Sequence, residues 1–149
     1  MTRIAQWQSR LDKVICDMMA SPLQYSVNDC MLLVVRTITA ITGQNILSSP
    51  VVKKFAPDGF PAYSTKEEAE NVISDFGFNS IADLLDAVLI RKKILFIQPG
   101  DIVQHPKHSD IVGVMGGENI HFLSLDKRPT ILEAYSFEAK AWDALQWVE

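Results

Sequence analysis

The hydrophobic period of this chain changes once along its length, and that change limits the architectures open to it. In the first half, apolar residues recur at three- and four-residue steps, the spacing of helices buried on one face. From Ile94 onward they fall into short runs rich in Ile, Val and Phe, the pattern of strands. Helices first and antiparallel strands second is an α+β arrangement. At 149 residues the chain is long enough to bury a core without metals or disulfides. A single domain over residues 1–149 is expected.

Ile4, Trp7, Leu11, Val14, Ile15 and Met18 form one apolar stripe on a helix of about 16 residues that Ser21-Pro22 stops. Ser26-x-x-Asp29 reads as a capping box with Asp in place of Glu, with Asn28 an alternative cap. The helix it opens carries Cys30, Val34, Ile38 and Ile41 on one side and ends at Gly43. A long Pro-containing crossover from Gly43 to Tyr63 follows, with one helical turn expected near Val51–Phe55. Thr65 and Ser80 each cap a further helix, the first closing at Gly77 and the second running through Ala87. Strands are expected at Ile94–Ile97, Asp101–Gln104, Asp110–Met115, Ile120–Leu125 and Thr130–Glu133. Pro99-Gly100, His105-Pro106, Gly116-Gly117-Glu118-Asn119 and Asp126-Lys127-Arg128-Pro129 separate them.

Composition narrows the partners. A net charge of −4, with Lys53-Lys54 and Arg91-Lys92-Lys93 as the basic clusters, argues against nucleic acid. The amino end lacks an apolar signal region, and the longest apolar run, Met31 to Val35, is far short of a membrane span. Synthesis in a bacterial cytoplasm without a signal peptide or membrane insertion is the expectation. Cys16 and Cys30 form neither a disulfide framework nor a zinc pair.

The chemistry concentrates at Asp29-Cys30. A helix N-terminus offers partial positive charge and free N–H groups, which bias a thiol in its first turn toward thiolate. His121 lies between apolar neighbours Ile120 and Phe122. His105, His108 and Asp110 share a Pro-containing turn on which alternate side chains diverge, which weighs against a metal site. No metal and no cofactor is expected. The Trp-bearing segment from Ala141 to Val148 reads as packing on the first helix or as a docking surface, and Phe55, Phe60 and Tyr63 mark the crossover as a second such surface.

A helix opening with Asp29-Cys30, then Pro99-Gly100-Asp101-Ile102-Val103, then Val112-Gly113-Val114 before a Gly-containing hairpin, resembles NlpC-type cysteine peptidases, which cleave peptidoglycan peptides. The chain is similar, more closely, to a related phage and prophage family encoded among tail genes. The matching features are Trp7-Gln8-Ser9-Arg10-Leu11, the stretch from Pro22 to Cys30, Thr42-Gly43, Gly100-Asp101 and the final Ala141-Trp142. Ser26 stands where that family tends to have Gly, a change expected to matter little. The resemblance implies a papain-like fold, an N-terminal helical half holding Cys30 packed on a small C-terminal antiparallel sheet.

It also implies a site. Cys30 matches the nucleophile, and His121, in Ile120-His121-Phe122, the residue that orients the base. Tyr25 and Asp29 match substrate-binding positions. Active members carry the catalytic His where this chain has Ile111, so Ile111 is expected on the strand facing Cys30. The function implied is a structural or assembly component of a phage or phage-derived tail tip, a degenerate peptidase located in the virion tail. Its partners would be other tail-tip proteins in a hetero-complex, with peptidoglycan as a further ligand. The alternative is an active cysteine hydrolase that cuts peptidoglycan peptides as the genome enters the cell, with His121 or His108 accepting the thiol proton.

Overall fold

Helix α1 spans Trp7–Ala20 and α2 spans Cys30–Thr42 in the computed structural model, which describes residues 1–123, 130–131 and 139–149. The predicted stripe holds within α1, where Leu11, Ile15 and Met18 are buried. Ile4 lies ahead of that helix, and its N–H donates to the Ile41 carbonyl at 2.9 Å. The cap of α2 is Asp29, rather than Ser26 or Asn28: its Oδ1 accepts from the Leu32 N–H at 2.9 Å. Asn28 has a different task. Its side-chain amide donates to the carbonyls of Met18, Ser21 and Pro22 at 3.1, 3.1 and 3.0 Å, answering acceptors that the end of α1 leaves open. Gly43 ends α2 at φ 74°, a left-handed position that glycine takes without steric cost.

The crossover is largely structured. A 3-10 turn at Ile46–Ser48 leads into α3, Pro50–Phe55, which Ser49 caps. Phe55 meets the rings of Phe60, Phe76 and Phe78 at 6.4, 5.6 and 5.0 Å, so two aromatic residues of the crossover pack with the segment that follows α4. Thr65 caps α4, Lys66–Asp75, and Ser80 caps α5, Ile81–Val88, as the sequence predicts.

Six strands follow: β1 (Leu89–Lys92), β2 (Ile102–Gln104), β3 (Val112–Met115), β4 (Asn119–Phe122), β5 (Thr130–Ile131) and β6 (Ala141–Trp147). They form one sheet in the order β1-β6-β2-β3-β4-β5, antiparallel at every junction. The α+β class, with its helical N-terminal half, is as expected. The sequence reading has no strand at Leu89–Lys92, where β1 stands, and two further elements differ from it. Ile94–Phe96 is a 3-10 turn, not a strand: Ile94 and Ile97 point inward while Leu95 and Phe96 stay 65% and 64% exposed. The Trp-bearing segment is β6, wedged between β1 and β2 with Trp142 fully buried, so it is part of the core and not a docking tail. The expected strand ends at Leu125 and Glu133, and the break from Asp126 to Pro129, lie outside the described residues.

Both faces of the sheet are covered. Ile102, Val112, Val114, Trp142 and Ala144 join the larger core with α1, α2 and α5. Their alternating neighbours Val103, Met115, Ile120, Phe122 and Ala141 form a second core with Ile94. Gly113 is required where it stands, because a Cβ there would overlap the His121 carbonyl and the Phe122 ring across the pair β3–β4. Among the described residues, no helix is long and apolar enough to cross a membrane.

Asp101, from the Pro-Gly-Asp sequence, is fully buried. Its Oδ2 accepts from Lys92 Nζ at 2.7 Å and from the Gln98 N–H at 2.8 Å, and its Oδ1 accepts from the Ala144 N–H at 3.0 Å. One carboxylate thereby joins β1, β2, β6 and the turn before β2. Removing it would leave the Lys92 ammonium, whose side chain is only 16% exposed, with Asp143 at 3.4 Å as its counter-charge, and would orphan the Gln98 and Ala144 N–H groups. Asp101→Ala is expected to cost about 3–5 kcal/mol in urea unfolding, the range for breaking a buried ion pair from one side.

Candidate functional site

The site is built on the Asp29 carboxylate, 2% exposed at the mouth of α2. Besides capping Leu32, it accepts from the Ser26 N–H and from the Tyr63 hydroxyl, each at 2.7 Å through Oδ2. Ser26 sits at φ 64°. That backbone region favours glycine, and the serine has a compensation: its Oγ accepts from the Tyr63 N–H at 2.8 Å. The Ser26 hydroxyl thereby anchors the end of the crossover. Asp29, read from sequence as substrate-binding, has its carboxylate engaged in holding the loop, the helix and the crossover together.

Cys30 is the first residue of α2 and is partly buried. Its thiol is not activated. Burial, followed by the adjacent Asp29 charge, pushes its pKa up to about 11, against the opposing pull of the Val112, Cys30 and Met31 backbone N–H groups. Desolvation beats the helix terminus, and the sulfur is a neutral thiol at physiological pH. The phenols of Tyr25 and Tyr63 flank it, with ring centroids 6.2 Å apart. Both titrate above their ordinary range, first through burial, and the Cys30 charge acts on each.

Val112 N–H reaches the sulfur, so the start of β3 does abut Cys30. The Ile111 side chain, however, packs with the second core on the other face of the sheet. His121 stands on β4 opposite Val114, two residues along β3 from Val112 and therefore about 7 Å further on. Its ring lies over Gly116, where a Cβ would come within 2.9 Å of Nε2. Burial lowers its pKa, and the charge that acts on it is Asp12 of α1, not the thiol. His105 is turned inward: its Nδ1 accepts from the N–H groups of Lys107 and His108, and its ring meets Phe122 at 4.7 Å. Asp110 pairs with Lys66 at 2.6 Å. No group of three or more His, Cys, Asp or Glu side chains among the described residues is arranged to hold a metal ion.

The geometry thus keeps a nucleophile's position, with His121 further along the sheet and His105 bound into its own turn. A family model described as a domain of unknown function (DUF6950) matches residues 2–143. The chain belongs to this family. No curated protein and no solved structure matches it. The DUF6950 match covers α1 through the first strand residues of β6, so Cys30, His121, Tyr25, Asp29 and Tyr63 all fall within it.

The sequence reading did not find Tyr63 as a partner of Asp29, or Lys66 as a partner of Asp110. Both are contacts between residues far apart in sequence, which no local pattern records. Ser26→Ala is expected to lower stability by about 1 kcal/mol, through loss of the Tyr63 hydrogen bond with the backbone strain retained. Ser26→Gly, which relieves the strain, should cost less in the same thermal melts. The raised Cys30 pKa gives a second outcome. Above pH 9 the unfolded thiol ionises while the folded one stays protonated, so stability falls as pH climbs from about 9 toward 11. Cys30→Ala should make the decline over that window shallower in urea titrations.

Proposed function

We propose that this DUF6950 chain is a structural or assembly component of a phage or phage-derived tail tip, built on an NlpC-type papain-like scaffold that has lost its peptidase chemistry. The observation that carries the loss of chemistry is the state of Cys30: neutral, flanked by phenols, with the Val112 N–H against its sulfur. A neutral thiol is a weak nucleophile, and a leaving amine needs a proton donor as well. The tail assignment rests on the similarity from Trp7 to Trp142 to the tail-gene family, and the arrangement of a Cys-headed helix on an antiparallel sheet is consistent with it. The proposed location is the virion tail, with other tail-tip proteins as partners in a hetero-complex.

The rival reading, an active hydrolase of peptidoglycan peptides, has one observation in its favour: backbone N–H groups of Cys30, Met31 and Val112 act on the sulfur in the direction that favours thiolate. Two assays separate the readings. Purified protein is expected to release no peptide fragments from peptidoglycan at neutral pH, and Cys30→Ser phage are expected to assemble and infect as wild type does. Peptidoglycan digestion that Cys30→Ala abolishes, or Cys30→Ser particles that assemble but fail to infect, would make the protein an enzyme. Normal particles and infection after complete deletion of the gene would remove the tail assignment.

A further inference from the structure

Three segments distant in sequence meet beside Cys30: the loop before α2, the end of the crossover with the start of α4, and the loop between β2 and β3. Tyr63 binds the first through its hydroxyl on Asp29 at 2.7 Å and its N–H on Ser26 Oγ at 2.8 Å. Lys66 binds the third through Asp110 at 2.6 Å, one residue before the Ile111-Val112 step that reaches the sulfur. Ser64 and Thr65, between these anchors, bond to the first turn of α4, through Glu68, and Pro61, Ala62, Ser64 and Thr65 are exposed.

We propose that residues Pro61 to Lys66 are a strap closed beside Cys30, latched by Tyr63 on Asp29 and Ser26 and by Lys66 on Asp110, and that local opening of this strap exposes the thiol. A segment with few buried apolar contacts opens at lower free energy than the core beneath it. The two latches are unequal. Lys66 and Asp110 are 60% and 46% exposed, so solvent and salt weaken their attraction. The Tyr63 hydroxyl donates to a buried carboxylate, a charge-assisted bond that dominates the closure. The strap is independent of whether the chain assembles into a tail.

Thiol labelling with a disulfide reagent at pH 8 tests this, with Cys16, exposed on α1, as the internal reference. Cys30 is expected to react far more slowly than Cys16 in the wild-type protein. Tyr63→Phe should accelerate Cys30 about tenfold, the scale of one hydrogen bond to a charged group, with Cys16 unchanged. The sign is diagnostic. Releasing the Asp29 carboxylate from its phenol strengthens the negative field on the sulfur, which by itself slows labelling, so an acceleration reports opening. Lys66→Ala, at an exposed pair remote from the core, should accelerate Cys30 about twofold, and it decides alone if melting shows that Tyr63→Phe lowers global stability. Cys30 as reactive as Cys16 in the wild type, or a Cys30 rate unmoved by a folded Tyr63→Phe or by Lys66→Ala, would overturn the strap.

Discussion

The Asp29 carboxylate is the point on which the arrangement around Cys30 depends. It caps α2, fixes the left-handed turn at Ser26 and receives the Tyr63 hydroxyl, so one side chain sets where the helix begins, how the chain enters it and where the crossover returns. A buried carboxylate is tolerable only when its oxygens are satisfied, and here backbone N–H groups and a phenol satisfy them. The same negative charge, one residue from the sulfur, opposes thiolate formation. The structural solution at this helix mouth is therefore also what suppresses its chemistry.

Asp101 has the corresponding place in the sheet. By binding Lys92, Gln98 N–H and Ala144 N–H, it locks β6 between β1 and β2 and sets the turn that feeds β2. Trp142 completes the joint from the other side of the strand: its indole N–H donates to Asp86, which Arg91 also grips through two 2.7 Å bonds. Asp86 is held below its usual carboxylate range, chiefly by Arg91. The two ends of the sheet's first half are thus tied by charge as well as by apolar packing.

The chemical meaning of Cys30 follows from competition between effects of opposite sign. Proximity to a helix N-terminus and to three backbone N–H groups favours the thiolate; burial and Asp29 disfavour it, and they prevail. An adjacent imidazole would tip the balance by taking the proton, but His121 lies further along the sheet under the influence of Asp12, and His105 is occupied with its own turn. Position alone does not make a nucleophile.

Much was legible in the sequence because it was local. Helical spacing located α1 and α2; Thr65, Ser80, Gly43 and Gly77 marked helix ends; the change of period announced the sheet, because side-chain alternation and capping are written within a few residues of where they act. The candidate nucleophile was visible for the same reason, as a Cys at a helix start. What only the tertiary structure decided was long-range. Ala141–Trp147 could be a tail or a strand until Asp101 and Leu89–Lys92 stood beside it. Tyr63 is an ordinary loop aromatic until the crossover brings it 34 positions back in sequence onto Asp29. The protonation of Cys30 depends on burial by segments far along the chain, and no local pattern records how much water a fold will exclude.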